Sequence, residues 1–337
     1  MQNIQALKDF LGTPRKAVIL MHHKPDADAL GSSLGLAGYL KKGGHHPTVI
    51  SPSDYPAFLE WLPGNGEVLV YHKDTQKQAA QTIEEADIIF CLDFSNLNRI
   101  MDLGEMVRNA PAKTVMIDHH LEPEKFADFE KWDTTAASTA ELVYELIQEM
   151  GDDHLIDTSI AECLYAGIMT DTGGFRHSNT THKVFVTAGK LVAHGASPYK
   201  ISKLIYDNNS IERLRLTGFV LGEKLQVLPE YRTAYIVLTR KELNSFSSQT
   251  GDTEGLVNYG LSVKGVVLSV LIYERKDGSV KLSLRSLGDF SVNEMARKHF
   301  EGGGHKNAAG GQTSLTLNET LTRFIELLPQ YKDQLNA

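Results

Sequence analysis

The sequence predicts an α/β protein with a parallel-sheet catalytic domain, helices on both faces of that sheet, and a smaller α/β domain with a mixed sheet. Two observations lead to this prediction. The first half of the chain alternates short apolar runs with helical patterns, whereas strand patterns follow one another closely after about Leu228. Apolar strands separated by helices are typical of a parallel sheet that is covered on both faces.

In the first half, β-rich apolar runs predict four strands, and apolar spacing predicts the helices that follow them. The predicted strands are residues 17–21, 48–51, 88–93 and 114–118, and the predicted helices include residues 30–41 and 96–108. The apolar rhythm of TAELVYELIQEM and SIAECLYAGIM predicts that helices dominate from about residue 138 to residue 225.

The second half is predicted to contain a hairpin-rich sheet. Its strands are residues 235–238, 263–274 and 280–286, and they are followed by a helix at 292–300, a glycine-rich segment at 302–311, and a final strand and helix. Helix-breaking residues cluster between 194 and 210. We therefore predict a catalytic domain at 1–194, a linker at 195–210 and a substrate-binding domain at 211–337.

The composition is that of an ordinary globular chain. The 337 residues are 42% hydrophobic and 23% charged, with a net charge of −8 at pH 7, which excludes collagen-like, coiled-coil and largely disordered proteins. The acidic balance argues against binding of long duplex nucleic acid. Two cysteines, Cys91 and Cys163, cannot form a disulfide framework. The first residues resemble no signal peptide, so we expect a cytoplasmic protein that does not bind a membrane.

Carboxylates and imidazoles follow several of the predicted strands. Because ligand sites in open α/β sheets form outside the carboxyl ends of the strands, these side chains are expected to meet at one rim. They are His22, Asp26 and Asp28 after the first strand, Asp93 after the third, Asp118, His119 and His120 after the fourth, and Asp171 in a turn that breaks a helix.

Such a cluster cannot persist as bare anions, since neighbouring like charges repel and raise one another's pKa. About seven oxygen and nitrogen donors suit two divalent cations that share a bridging carboxylate. We expect two Mn²⁺ ions, with Mg²⁺, Co²⁺ and Fe²⁺ as competitors. Taken singly, His22 also fits a hydrogen-bonded core histidine, and Asp28 also fits a helix cap.

The order of these motifs resembles the DHH/DHHA1 phosphoesterases. HHKPDADALGSS precedes Asp93, and the DHH tripeptide, TDTG and GGGHKNAAGG follow in order, so the resemblance runs from about residue 22 to residue 311. That superfamily includes RecJ-type exonucleases, family II inorganic pyrophosphatases and cyclic-dinucleotide phosphodiesterases. The resemblance is greatest to the two-domain nanoRNase, or oligoribonuclease and pAp phosphatase, type.

The resemblance implies a role for each residue of the cluster. His22 and Asp26 would hold one Mn²⁺, whereas Asp28, His119 and Asp171 would hold the other. Asp93 would bridge the two ions. His120 would face the substrate phosphate, and Asp118 would orient an imidazole.

The resemblance also implies substrate contacts, which are Gly303, Gly304, His305, Arg285 and Arg176. Adjacent glycines let a backbone approach an anion closely, and the planar fork of an arginine suits bidentate binding of phosphate. The simpler interpretations are a flexible loop for the glycine run and a solvated strand face for the residues near Arg285.

These observations predict an enzyme, a phosphoesterase in which a metal-activated water attacks phosphorus in the cleft between two domains. The expected substrates are short oligoribonucleotides and 3′-phosphoadenosine 5′-phosphate (pAp), which would yield AMP. The alternatives are a phosphodiesterase for cyclic or linear dinucleotides and a non-enzymatic nucleotide-sensing protein. The sequence leaves open the strand polarity, the physiological metal and the oligomeric state, for which a homodimer is one option.

Overall fold

The structure is a computed structural model, and it describes Met1 and residues 3–337. The chain forms two compact units, Met1–Asn208 and Asn209–Ala337. Across the described residues, every helix falls short of the length or the hydropathy that a membrane span requires. Cys91 and Cys163 are buried free thiols.

The first unit is built on a parallel sheet, as predicted, and the sheet has six strands. Its strands are β1 (Lys16–Met21), β2 (His46–Ser51), β3 (Leu69–Val70), β4 (Ile88–Leu92), β5 (Lys113–Asp118) and β6 (Phe129–Trp132). Its helices are α1 (Ile4–Phe10), α2 (Ala27–Lys42), α3 (Gln76–Glu84), α4 (Leu103–Asn109), α5 (Thr139–Met150), α6 (Thr158–Asp171), α7 (His182–Ala193) and α8 (Pro198–Tyr206).

Helices cover both faces of this sheet because the side chains of each strand alternate between the faces. Ile19 and Met21 of β1 pack in a core with α2, α5 and α6, whereas Val18 and Leu20 pack in a second core with α3 and α4. The strand order is β3-β2-β1-β4-β5-β6, so the direction of winding reverses between β1 and β4. The carboxyl ends of strands at such a switch point form the usual ligand crevice of this topology.

Several predicted boundaries of the first unit differ from the structure. Two short strands, β3 and β6, and the helices α1 and α3 were not predicted. The predicted helix at 96–108 is divided into a short 3₁₀ helix, Leu97–Ile100, and α4, because Met101 adopts a positive φ of 54° between them. Within the predicted linker, α8 is an amphipathic helix whose Ile201 and Ile205 are buried in the core of the first unit.

The second unit contains a mixed sheet, also as predicted, and this sheet has six strands. Its strands are β7 (Gln226–Leu228), β8 (Thr233–Leu238), β9 (Leu268–Glu274), β10 (Val280–Ser286), β11 (Gly303–His305) and β12 (Ala308–Thr313). Its helices are α9 (Ile211–Phe219), α10 (Arg240–Ser245), α11 (Leu256–Leu261), α12 (Val292–His299) and α13 (Leu317–Asn336). The strand order is β11-β12-β10-β9-β8-β7, and only β8 and β9 are parallel neighbours.

The predicted strand at 263–274 begins later than expected. The structure has β9 starting at Leu268, and the preceding apolar residues form α11, which packs on the sheet through Leu256 and Val257. A short apolar run fits a buried helix as well as a buried strand, so periodicity alone did not distinguish them.

Close packing of α2 against α6 positions the residues that follow β1. A Cβ atom on Gly31 would lie 2.4 Å from the carbonyl oxygen of Cys163 in α6. That distance is far below van der Waals contact, so the two helices can approach this closely only because residue 31 has no side chain.

We expect Gly31→Ala to lower the free energy of unfolding by about 1–3 kcal/mol, since α2 must move away from α6 to admit the methyl group. Gly189→Ala is the matched control, because Gly189 lies in α7 with no atom within 4 Å of its would-be Cβ. Alanine favours helix there, so the control should be neutral or more stable by up to about 1 kcal/mol. Urea denaturation followed by circular dichroism measures both changes, and equal midpoints for the two variants would contradict the close-packing argument.

Candidate metal centre

The segment between β1 and α2 supplies the first carboxylates and imidazole. Asp26 is the N-cap of α2, and its Oδ1 accepts hydrogen bonds from the backbone N–H groups of Asp28 and Ala29 at 3.0 and 3.1 Å. The cap of α2 is therefore Asp26 and not Asp28. Asp28 lies in the first turn of the helix and is fully buried.

Asp93 directly follows β4 and has the backbone conformation of a left-handed residue, with a φ of 63°. Aspartate tolerates this region better than most residues, but holding it there still costs of order 1 kcal/mol. The turn ends the strand one residue earlier than predicted and leaves the Asp93 side chain 2% exposed.

Five donors predicted from the sequence converge around the carboxylate of Asp93, which is itself the sixth. On one side, Asp93 Oδ2 lies 3.4 Å from His22 Nε2, and Asp26 Oδ2 lies 4.0 Å from the same nitrogen. On the other side, Asp93 Oδ1 lies 3.4 Å from His119 Nε2, and that nitrogen lies 3.4 Å from Asp171 Oδ2 and 3.8 Å from Asp28 Oδ2. The structure thus brings His22, Asp26 and Asp93 into one group and Asp28, His119 and Asp171 into another, with the donor atoms of each group within 4.8 Å of one another.

Backbone carbonyls fix the orientation of both imidazoles. His22 Nδ1 lies 3.0 Å from the carbonyl oxygen of His23, and His119 Nδ1 lies 3.2 Å from that of Ala136. A carbonyl oxygen can only accept, so each Nδ1 carries the proton and donates it. This arrangement directs Nε2 of each ring toward the carboxylates, as in histidines that ligate metals.

His120 differs from the other two histidines because its Nδ1 lies 2.7 Å from Asp118 Oδ1. Asp118 ends β5 and is fully buried. A carboxylate that accepts from Nδ1–H holds the ring in a single tautomer and orientation. The same His120 nitrogen lies 3.6 Å from Asp93 Oδ1, so the imidazole that is predicted to face the substrate phosphate borders the donor cluster.

The charges of the cluster shift the pKa values of its members in opposite directions. Burial, followed by repulsion from Asp93 and Asp171, raises the pKa of the Asp28 carboxyl well above its usual range. Burial opposes ionisation of Asp93, but hydrogen bonds with His119 and His22 hold the pKa of Asp93 well below its usual range. Burial likewise opposes protonation of His119, yet its hydrogen bond with Asp93 and the nearby carboxylates raise the pKa of this imidazole well above its usual value.

The N-terminus of α5 also contacts the cluster, which the sequence did not indicate. The backbone N–H groups of Thr139 and Ala140 donate to Asp28 Oδ2 and Oδ1 at 2.7 and 2.9 Å. The only sequence signal was Ser138 followed three residues later by Glu141, which is typical of a helix start. Nothing in that signal connects the helix to Asp28, since the contact spans more than a hundred residues.

The donor set fits a pair of divalent cations. Asp28 and Asp93 are buried carboxylates that form no ion pair with a lysine or arginine among the residues that the structure describes. Buried carboxylates are normally paired with a cation or bound to a metal. Oxygen and imidazole donors without a thiolate suit hard or borderline divalent ions.

Asp171 is the last residue of α6, and the loop after it turns through three left-handed residues, 173–175. Arg176 lies in this loop and donates from Nε to the carbonyl oxygen of Gly173 at 2.8 Å. This hydrogen bond therefore holds the loop that follows Asp171, and contact of Arg176 with substrate stays a prediction.

Two predicted substrate contacts of the second unit, Arg285 and His305, lie on one face of its sheet. Ala308 of β12 pairs with His305 of β11 on one side and with Arg285 of β10 on the other. Directly opposite residues share a face of the sheet, so His305 and Arg285 flank Ala308 with their Cα atoms roughly 10 Å apart, or two strand spacings. Their neighbours Leu284 and Ala309 are buried on the opposite face.

The glycines beside His305 belong to a paired strand and not to an open loop. Gly304 has a φ of 141°, and a Cβ atom there would lie 2.5 Å from the carbonyl oxygen of Ala308. The close approach of the hairpin backbones thus explains Gly304. A Cβ atom on Gly303 would meet no atom within 4 Å, so packing does not explain that glycine.

Two family models match the chain. The model of the DHH family, N-terminal domain, matches residues 16–168, and the model of the DHHA1 domain matches residues 233–332. The first match contains every residue of the donor cluster except Asp171, and the second contains Arg285 and the segment 303–305.

Three relatives resemble the chain over nearly its whole length. A Bacillus subtilis (strain 168) protein named bifunctional oligoribonuclease and PAP phosphatase NrnA is 30% identical over 87% of this chain and 88% of its own. The cyclic-di-AMP phosphodiesterase GdpP of Geobacillus thermodenitrificans is 28% identical over 97% of this chain, which spans 49% of that relative. The crystal structure of an exopolyphosphatase-related protein from Bacteroides fragilis is 39% identical, has a TM-score of 0.93, and covers 99% of this chain with 97% of its own.

The motif order, the two domain matches and the near full-length relatives agree, and the chain therefore belongs to the DHH/DHHA1 family of phosphoesterases.

Proposed function

We propose that this chain is a Mn²⁺-dependent phosphoesterase that hydrolyses short oligoribonucleotides, pAp, or both. The observation that carries the proposal is the position of the Asp93 carboxylate. Each of its oxygens lies 3.4 Å from the Nε2 atom of a different histidine, His22 on one side and His119 on the other. A carboxylate with one oxygen toward each donor group is suited to bridge two cations.

The donors divide between two ions in this proposal. His22 and Asp26 would hold one ion, Asp28, His119 and Asp171 would hold the other, and Asp93 would serve both. Mixed carboxylate and imidazole donors favour Mn²⁺, although Mg²⁺ and Co²⁺ suit the same set. When bound, such a pair of cations lowers the pKa of a water molecule and offsets negative charge on the phosphoryl group.

His120 is the proposed catalytic side chain, and Asp118 is the positioning residue that acts through it. With Nδ1–H held by Asp118 at 2.7 Å, the opposite ring nitrogen is the one that can face a phosphoryl oxygen. With a proton on both ring nitrogens, the imidazolium would donate a hydrogen bond from this nitrogen and stabilise the charge that develops on the phosphoryl group as the ester bond breaks.

In the second unit, the side chains of Arg285 and His305 are the proposed contacts for the remainder of the substrate. The backbone of Gly303 and Gly304 is proposed to contact it as well. Support comes from their common sheet face on either side of Ala308. A guanidinium and an imidazole at this spacing can bind a phosphate group without direct contact between the two side chains.

The relatives support the choice of substrate. The NrnA protein of Bacillus subtilis, named for oligoribonuclease and PAP phosphatase activity, matches this chain over most of both lengths. The GdpP relative, which is named a cyclic-di-AMP phosphodiesterase, supports a second candidate, hydrolysis of a cyclic or linear dinucleotide. This chain aligns with part of that longer protein. A nucleotide-sensing protein without catalysis would have no need of a bridged metal pair.

The test is a steady-state comparison of substrates in Mn²⁺. We expect release of phosphate from pAp and of mononucleotides from RNA of two to five residues, both faster than turnover of cyclic di-AMP or pyrophosphate. Faster turnover of cyclic di-AMP would favour the second candidate. Stoichiometric binding of pAp without any product would contradict the enzymatic proposal.

The same assay with Arg285→Gln tests the contribution of the second unit. Loss of a charge-assisted hydrogen bond worth about 1.5–3 kcal/mol should raise KM roughly 10- to 100-fold. Lys281→Gln is the matched control, because Lys281 lies on the same strand and the same sheet face but fits a solvated position. An equal effect in both variants would show a general loss of positive charge and would contradict the assignment of Arg285.

Replacement of His120 by glutamine should reduce kcat about 10²- to 10³-fold, because charge on the phosphoryl group is no longer stabilised. Binding of Mn²⁺, measured by calorimetry, should remain. His46→Gln, which alters an exposed histidine at the start of β2, is the control and should keep wild-type turnover.

Asp118→Asn should lower kcat less than His120→Gln, and the double variant should be no slower than His120→Gln alone. Non-additivity of this kind is expected when one residue acts only through the other. Fully additive losses in the double variant would show that Asp118 acts independently of His120.

A further inference from the structure

We propose that Thr139 is a positioning residue that fixes the rotation of the Asp93 carboxylate and thereby couples the two halves of the metal centre. This inference rests on the two-metal centre of the proposed function. It assigns a role to a side chain that lies outside the DHH motifs and outside the donor set.

One residue holds two of the buried carboxylates. The Thr139 hydroxyl donates to Asp93 Oδ1 at 2.9 Å, and the Thr139 backbone N–H donates to Asp28 Oδ2 at 2.7 Å. Thr139 and Asp28 are fully buried, and Asp93 is 2% exposed. In a site with so little water, each hydrogen bond to a carboxylate is stronger and its loss is more costly than at the surface.

The start of α5 leaves the donors of Thr139 available for this task. Ser138 is the N-cap, and its hydroxyl accepts from the N–H of Glu141 at 3.1 Å. The first N–H groups of a helix have no partner within the helix, and the Thr139 N–H therefore donates to Asp28. Threonine has few accessible χ1 rotamers, so its hydroxyl can donate to Asp93 with little loss of side-chain entropy.

Fixing Asp93 Oδ1 also determines where Oδ2 lies. With Oδ1 held by Thr139 and 3.4 Å from His119 Nε2, Oδ2 lies 3.4 Å from His22 Nε2. Without the hydroxyl, the carboxylate can rotate about its Cβ–Cγ bond, and its two oxygens no longer face the two donor groups together. Loss of a hydrogen-bonding partner of a metal ligand typically weakens metal binding about 10- to 100-fold.

The test uses two matched pairs that differ chiefly in the hydroxyl, wild type against Thr139→Val and Thr139→Ser against Thr139→Ala. All four proteins keep the backbone N–H that holds Asp28. Mn²⁺ binding is measured by calorimetry, and coupling between two bound ions is measured by electron paramagnetic resonance. We expect the valine and alanine variants to bind the more weakly held ion about 10- to 100-fold less tightly and to lose the spin-coupled signal. Thr139→Ser should retain both properties.

The serine rescue separates positioning from packing, because serine restores the hydroxyl without the methyl group. If Thr139→Val does not fold by circular dichroism, the serine and alanine pair decides the question. Wild-type affinity and an unchanged coupled signal in the folded variants without the hydroxyl would overturn the inference and leave the proposed function intact. A wild-type protein that binds fewer than two ions would contradict the proposed function itself, and this inference with it.

Discussion

The buried, ionised carboxylate of Asp93 is the constraint on which the rest of the site depends. Removing such a charge from water costs several kcal/mol unless partners replace the lost hydration. Two imidazoles and a hydroxyl provide partners here. Burial opposes protonation of both imidazoles, but the hydrogen bond with Asp93 and the nearby carboxylates together raise the pKa of each above its ordinary value. Cations bound at the same donors would balance the buried charge of Asp93, and their binding would release the protons of the imidazoles.

The fold assembles these partners from segments that are distant along the chain. The switch point between β1 and β4 brings the His22 loop beside Asp93, and the neighbouring β5 places His119 next to it. His22 and His119 are each oriented by a backbone carbonyl, and Asp28 is oriented by the first N–H groups of α5. Because main-chain atoms make these contacts, the geometry depends on the packing of helices such as α2 on α6 and tolerates few changes there.

The ligand candidates and both sheets could be predicted from the sequence because the relevant signals are local. A carboxylate that directly follows an apolar strand, such as Asp93, can be predicted as a candidate ligand from its position in the sequence. The contacts of Thr139 could not be predicted, since they depend on how α5 docks against elements more than forty residues away. Periodicity also failed for α11, whose short apolar run fits a helix or a strand. The cap of α2 proved to be Asp26 and not Asp28, because helix starts are uncertain by one or two residues.

The central claim is that Asp93 bridges two cations, and anomalous scattering from crystals grown with Mn²⁺ tests it most directly. The account predicts two manganese peaks in the first unit, each within bonding distance of a different Asp93 oxygen. It also predicts that the Asp93→Asn variant loses at least one peak while its fold is retained. A single ion, or two ions of which only one contacts Asp93, would contradict the account.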